Sequence, residues 1–373
     1  MREVRVGVVG CGNISTIYLT NLARIPGLTV CACADARAEH ARAQAERFGI
    51  EATGVDALLA RDDIDLVVNL TVPAAHAAVS QAALSAGKHV FSEKPLAVDA
   101  ESGRRLVQAA ETRGLLIGCA PDTFLGAGGR LARRLIEEGE IGKVLSGTAF
   151  VMSHGMEHWH PDPEFFFKPG GGPVFDVGPY YLTMLVNLLG PVSRIRAATA
   201  TGFAERIVTA EGPRKGSRIT VETPTTALAL LEFAAGPQIV FGASWDVWKH
   251  GHPHIELYGT EGSLRMPDPN FYGGALATAK RGGRWRRRRT ETMPLGAVNW
   301  PAEAPREANH RGAGVADMAA AIRRGRPHHA SGRLALHVLE VAQAVVEGGD
   351  VTVTAAERPP ALGEDDAANL FEA

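Results

Sequence analysis

Cysteine is scarce in this chain, with Cys11, Cys31, Cys33 and Cys119 the only four in 373 residues. All fall in or beside expected strands of the first half, where a free thiol behaves as a small buried hydrophobe. Cys31-Ala32-Cys33 lacks the spacing of a redox Cys-x-x-Cys pair, and in a strand its two thiols point the same way. Neither a disulfide nor a metal site is indicated. An excess of one charge is also missing: 39 Lys+Arg stand against 41 Asp+Glu. No global field therefore recruits nucleic acid or an anionic membrane. No apolar run is long enough to span a bilayer, and Met1-Arg2-Glu3-Val4-Arg5 enters a strand without the apolar core of a signal peptide. The expectation is a soluble, cytoplasmic protein whose partner is a small, weakly charged molecule.

The length exceeds one typical core, so two domains are expected, spanning 1–121 and 122–373. In the first, Val6-Gly7-Val8-Val9, Val30-Cys31-Ala32-Cys33-Ala34, Leu66-Val67-Val68-Asn69-Leu70, His89-Val90-Phe91 and Leu115-Leu116-Ile117-Gly118 alternate with alanine-rich helical stretches. Uninterrupted apolar strands between amphipathic helices indicate a doubly wound parallel sheet covered on both faces, an α/β nucleotide-binding domain. After a helix near Gly128 to Glu138, longer strands at 144–150, 226–233 and 238–244 are joined by Gly/Pro turns, which suggests an α+β domain with a mostly antiparallel sheet. Helices at about Gly314 to Arg323 and Gly332 to Glu347 close the chain, and the acidic tail Gly363 to Ala373 reads as loosely ordered. The basic run Arg284-Trp285-Arg286-Arg287-Arg288-Arg289 reads as a solvated hairpin in preference to a phosphate patch.

Gly10-Cys11-Gly12-Asn13-Ile14-Ser15 follows the first strand and precedes a helix, the context in which G-x-G-x-x-(G/A) binds a dinucleotide. Gly10 makes the tight turn and Gly12 admits a pyrophosphate. The N–H groups around Asn13 and Ile14 face it, and small Ser15 stands at the third position. Asp35 ends the second strand, where a carboxylate accepts hydrogen bonds from ribose hydroxyls and repels a 2′-phosphate, so NAD is favoured. Arg37 leaves NADP open. Asp35 as N-cap of a helix starting at Ala36 is the competing reading. Thr71, Pro73 and His76 follow the strand ending at Leu70 and border the nicotinamide half, His76 equally readable as a plain first-turn residue. Glu93-Lys94-Pro95 sets an ammonium after another buried strand, on the edge where ligands of open parallel sheets lie.

These residues resemble the glucose-fructose oxidoreductase, inositol dehydrogenase and MocA family (Gfo/Idh/MocA). The likeness rests on the glycine turn, Thr71-Val72-Pro73 with His76, Ala86 to Pro95, Gly139-Glu140-Ile141-Gly142-Lys143-Val144, and Gly170-Gly171-Gly172-Pro173-Val174-Phe175-Asp176-Val177-Gly178-Pro179-Tyr180. It implies a Rossmann domain, a second domain whose open sheet serves a homodimer or homotetramer, and NAD(P)-dependent oxidation of a carbinol in a sugar or polyol. It carries catalytic roles onto Lys94 and Asp176, with Tyr180 where the family pattern has histidine. A phenol near pKa 10 needs a neighbouring cation to act as base at neutral pH, and Lys94 is the expected source. Asp176 and Tyr180, four apart where a helix begins, are expected on one face. Asp176 as N-cap and Tyr180 as packing aromatic are the structural alternatives.

Substrate contacts are sought in loops of the second half. His158 and Trp159 lie in His154-Gly155-Met156-Glu157-His158-Trp159-His160-Pro161, a mixture that suits hydroxyl groups and the C–H face of a sugar. The His-x-His pair has no recognisable third and fourth metal ligands. His254 ends Trp245 to His254, Arg311 follows Asn309-His310, and Asp122 follows the sixth strand. The set favours an uncharged polyhydroxy compound, with Arg311 leaving an acid or phosphate open. The leading function is an NAD(P)-dependent dehydrogenase acting on a sugar, polyol or cyclitol. The alternative is an NAD-dependent glycoside hydrolase or lyase using transient oxidation and elimination.

Overall fold

The structure, a computed structural model, describes residues 3–301, 303, 306–354 and 358–371. Met1 and Arg2, at the expected start, lie outside the described residues, as do the last two residues of the acidic tail.

The first sheet has six strands: β1 Val4–Val9, β2 Leu28–Ala34, β3 Glu51–Thr53, β4 Leu66–Asn69, β5 His89–Ser92 and β6 Ile117–Cys119. All pair in parallel in the order β3-β2-β1-β4-β5-β6. Helices α1 Ser15–Leu22, α2 Ala38–Phe48, α3 Val55–Leu59, α4 Pro73–Ser85 and α5 Ala100–Thr112 make the crossovers. With helices on both faces, all four residues of β4 are buried, which is why Leu66-Val67-Val68 runs apolar without alternation before the buried Asn69. Strand order reverses between β1 and β4, and a ligand crevice opens there beyond the carboxyl ends of the strands.

From α6 Ala127–Glu137 the chain builds a nine-stranded sheet. Its strands are β7 Val144–Met152, β8 Val192–Ala200, β11 Thr226–Phe233, β12 Gln238–Ser244, β13 Ile255–Gly259, β14 Gly262–Met266, β15 Leu276–Lys280, β16 Arg286–Arg288 and β17 Gly349–Thr352. The hairpin β9 Glu205–Ile207 with β10 Arg218–Thr220 stands apart. Every pair in the large sheet is antiparallel except β7 with β12. Along β11 the period-two pattern buries Ala227, Ala229, Leu231 and Phe233 and exposes Leu228. The buried face packs against α8 Gly178–Leu189 and α10 Gly332–Glu347.

Helix α9 Ala313–Arg324 returns to the first sheet and packs on β1, β5 and β6. Gly118 also bridges to Ser331. The crevice is thus walled by both halves of the chain, a connection a single break after residue 121 does not convey.

Three local expectations change. The helix expected through Asp176 and Tyr180 is broken into α7 Gly172–Asp176 and α8, because Pro179 has no N–H to donate and its ring clashes with the carbonyl four residues back. The acidic tail is ordered up to its last described residue: Glu364–Ala368 forms α11, with Leu362, Ala367 and Leu370 buried. Its first-turn acids suit a helix N-terminus, and Glu364 pairs with Arg130. Edge strand β3, Glu-Ala-Thr, is too short and exposed to register as an apolar run. The basic run forms the edge hairpin expected of it, with Arg288 paired to Glu140 and Trp285 under the Arg265 guanidinium.

Candidate active site

The turn after β1 is shaped by contact. Gly10 adopts φ +101°, and a Cβ there would lie 2.5–2.6 Å from the backbone of Leu70 and Thr71. At Gly12 a Cβ would meet nothing within 4 Å, so the space above the turn is open. Ser15 is fully buried, and its hydroxyl donates to Gly12 O at 2.6 Å, filling the small-residue position while starting α1. The Ser15 N–H donates to Gly12 O at 3.1 Å, so α1 starts directly from the turn, and a helix start at this place carries the positive end of the helix dipole. The residues fit a dinucleotide.

Asp35 borders the same space. Its Oδ2 accepts the Cys11 N–H at 2.7 Å and its Oδ1 the Arg37 N–H at 2.8 Å. It is not an N-cap: α2 starts at Ala38 with Arg37 before it and no side-chain cap. The exposed Arg37 lies alongside.

Beyond β4, Thr71 is held by Asn69 Oδ1, which accepts from its N–H at 3.2 Å and its hydroxyl at 2.7 Å. Pro73 occupies the first turn of α4. His76 is buried, with its ring nitrogens 2.7 Å from Pro95 O and 2.9 Å from Thr71 O. Burial pushes this imidazole below its usual range, although the two carbonyls favour the charged ring. Both nitrogens are occupied, so the expected ligand contact becomes a strut joining the loops after β4 and β5.

Lys94 is reached from Glu93, whose carboxylate accepts the Tyr18 hydroxyl at 2.7 Å and the Lys94 N–H at 3.0 Å. The Lys94 ammonium donates to Asp176 Oδ1 at 2.9 Å and Asp176 O at 2.6 Å. Both side chains retain some exposure, 16% and 21%. Burial opposes the Lys94 charge, but Asp176, Tyr180 and Glu93 outweigh it, and the amine stays protonated well above the ordinary lysine range. The ammonium lies 5.5 Å from the centre of the Tyr180 ring. The break at Val177 thus leaves Asp176 and Tyr180 on the same cation, and Asp176, at the end of α7, caps nothing.

Arg311 comes to the same ring from another direction, with Nη2 3.3 Å from Tyr180 Oη. Its other bonds go to Asn270 Oδ1 at 2.7 Å and Asn309 Oδ1 at 2.8 Å. With these donors engaged inside the protein, Arg311 is poorly placed to receive an acid or phosphate directly.

The remaining expected contacts divide. Asp122 is buried, and its carboxylate accepts from the Tyr272 hydroxyl, Gly312 N–H at 3.2 Å and Gly314 N–H at 2.8 Å. Burial raises its pKa against those bonds. It anchors the start of α9 and has no face left for a substrate. His254 Nδ1 is 2.6 Å from Tyr181 Oη, next to Tyr180 in sequence. His158 and Trp159 are exposed, Trp159 at 57%, and among the described residues no hydrogen bond or ring contact joins them to Lys94, Asp176 or Tyr180. Among the described residues, no group of three or more His, Cys, Asp or Glu is arranged to hold a metal, and no helix is long and apolar enough to cross a membrane. Tyr18, Asn270 and Tyr272 join the site with no motif to announce them.

Residues 4–120 match the oxidoreductase family with an NAD-binding Rossmann fold, and 130–265 match the GFO/IDH/MocA C-terminal domain. The chain is 32% identical over 273 residues to dTDP-3,4-didehydro-2,6-dideoxy-alpha-D-glucose 3-reductase of Streptomyces violaceoruber, covering 71% of this chain and 73% of that one. This protein belongs to the Gfo/Idh/MocA family. It is 28% identical over 292 residues to levoglucosan dehydrogenase of Pseudarthrobacter phenanthrenivorans, with the same two coverages. The structure of a levoglucosan dehydrogenase with NADH and levoglucosan superposes with a TM-score of 0.79 at 24% identity, over 95% of this chain and 100% of that chain. The chain is accordingly an NAD-dependent oxidoreductase, and residues 4–120 are its NAD-binding Rossmann domain.

Proposed function

We propose that this protein oxidises a secondary hydroxyl of a sugar, polyol or cyclitol, or reduces the matching ketone, by hydride exchange with NAD. The observation that carries the reading is the meeting of Lys94, Asp176 and Tyr180 at the carboxyl edge of the parallel sheet. The names of the two curated relatives, a 3-reductase of a nucleotide-linked deoxysugar and a dehydrogenase of an anhydrosugar, support the substrate class. An uncharged reacting portion agrees with Arg311 being engaged by two asparagines.

In this reading NAD, when bound, supplies the hydride acceptor. Gly10, Gly12, Asn13 and Ile14 hold its pyrophosphate, Asp35 its ribose, and Thr71, Pro73, Glu93 and Lys94 flank its reactive end. Tyr180 Oη takes the substrate hydroxyl proton as the carbonyl forms and returns it in the reverse direction. Lys94 donates a hydrogen bond to the reacting oxygen, and Asp176 aims the ammonium. His254, held by the Tyr181 hydroxyl, binds a neighbouring hydroxyl. The large sheet turns Leu228, Val240 and Tyr258 outward, an apolar face suited to a homodimer or homotetramer.

Purified protein incubated with NAD or NADP and a panel of sugars, polyols, cyclitols and glycosides tests this. Net nicotinamide reduction with a free sugar or polyol is expected. Release of the glycone from a glycoside without net reduction would replace it by the redox-assisted elimination.

A further inference from the structure

Arg311 stands just before the N-terminus of α9, with its guanidinium turned inward and only 8% of the residue exposed. It is held by two amide oxygens, Asn270 Oδ1 and Asn309 Oδ1, and its remaining bond is to Tyr180 Oη. Asn309 is fixed in turn: its N–H donates to Asn299 Oδ1 at 2.7 Å, and the Asn21 amide donates to the carbonyls of Asn309 and Arg311. Amide oxygens satisfy the N–H groups without cancelling the charge, and among the described residues no carboxylate lies within ion-pair distance of this guanidinium.

Lys94 differs in two ways. Its charge is paired with Asp176, and although both cations lie over the Tyr180 ring, at 5.5 Å for Lys94 and 5.8 Å for Arg311, only Arg311 has a hydrogen bond to the Tyr180 oxygen. Within a partly desolvated site, a cation hydrogen-bonded to the oxygen at 3.3 Å acts on it more strongly than one that is paired with Asp176 and has no bond to that oxygen.

We infer that Arg311 is a positioning residue for the reaction, orienting the Tyr180 hydroxyl and stabilising its ionised form while Lys94 is left to the reacting oxygen. The inference rests on the reading of Tyr180 as acid/base. With Tyr180 as phenolate, its own proton already released to water, the substrate O–H bond breaks and its proton moves to Tyr180 Oη. NAD, when bound, would accept the hydride of the neighbouring C–H bond as the substrate C=O bond forms. Arg311 keeps all its protons throughout, because Tyr180 and Tyr272 raise its pKa despite burial.

The test compares wild type, Y180F, R311Q, R311K and Y180F/R311Q, using the best substrate of the sugar panel and NADH binding as the check on folding. R311Q is expected to lower kcat about 100-fold with KM changed less than about threefold, and R311K to recover part of the loss. In the Y180F background, R311Q is expected to add less than about threefold. Losses that multiply in the double variant, or an R311Q effect confined to KM, would overturn the role of Arg311 and leave Tyr180 standing. Full turnover by Y180F would instead remove the reading beneath it. If R311Q fails to bind NADH, N270A keeps the charge and removes one anchor. A kcat loss of about tenfold that vanishes beside Y180F supports the inference, and one that persists there contradicts it.

Discussion

Lys94 Nζ donates to both the backbone carbonyl and the side-chain carboxylate of Asp176, at 2.6 and 2.9 Å. Two bonds to one residue fix where the third ammonium hydrogen points, and that direction is available to a substrate oxygen. Replacement by methionine keeps most of the side-chain volume and strands the Asp176 carboxylate. K94M is expected to lower kcat about 100- to 1,000-fold while NADH affinity changes little. Steady-state kinetics beside a direct NADH titration checks this, and equal losses in both would make Lys94 a cofactor anchor only.

Asp35 bears on the choice of nicotinamide. Its carboxylate stands over the glycine turn through the Cys11 N–H, beside the exposed Arg37. In D35S the repulsion of a 2′-phosphate is gone and Arg37 remains. The ratio of kcat/KM with NADP to that with NAD is expected to rise at least about tenfold, while NAD affinity falls by about 1.5–3 kcal/mol. An unchanged ratio would remove Asp35 from the ribose site.

Asp317 makes a prediction about stability. Fully buried on α9, it accepts from Arg326 Nη2 at 2.7 Å, His329 N–H at 2.6 Å and His329 Nδ1 at 2.9 Å. Burial favours its neutral form, but the His329 and Arg326 bonds prevail and hold its pKa below the usual carboxylate range. A depressed folded pKa contributes stability that is complete above the unfolded value of about 4 and is lost as pH falls through the folded value. D317N is expected to cost about 3–5 kcal/mol at neutral pH, with the gap to wild type narrowing below about pH 4. Thermal melts from neutral to acid pH measure this, and a gap independent of pH would contradict it.

The parallel sheet was legible because burial on both faces writes its inner strands as apolar runs, as in Leu66-Val67-Val68. β3 escaped because an exposed edge strand carries no such run. The position of Lys94 beyond the carboxyl end of β5 was legible from the apolar run before it. The break at Val177 was not, although Pro179 announces it once the helix is placed. What the sequence hides is pairing at long range: Tyr18 meets Glu93 across 75 positions and Arg311 meets Tyr180 across 131. No periodicity encodes such a contact, so Arg311 and Asp122 read as substrate contacts, whereas burial and hydrogen bonds engage them inside the protein.

The most direct test of the account is single-turnover hydride transfer by Y180F, with the NADH affinity of the same preparation measured alongside. The phenyl ring keeps the packing over Lys94 and loses only the oxygen that Arg311 addresses. The account predicts a rate at least about 100-fold below wild type at unchanged NADH affinity. A variant that binds NADH normally and transfers hydride at the wild-type rate would contradict it.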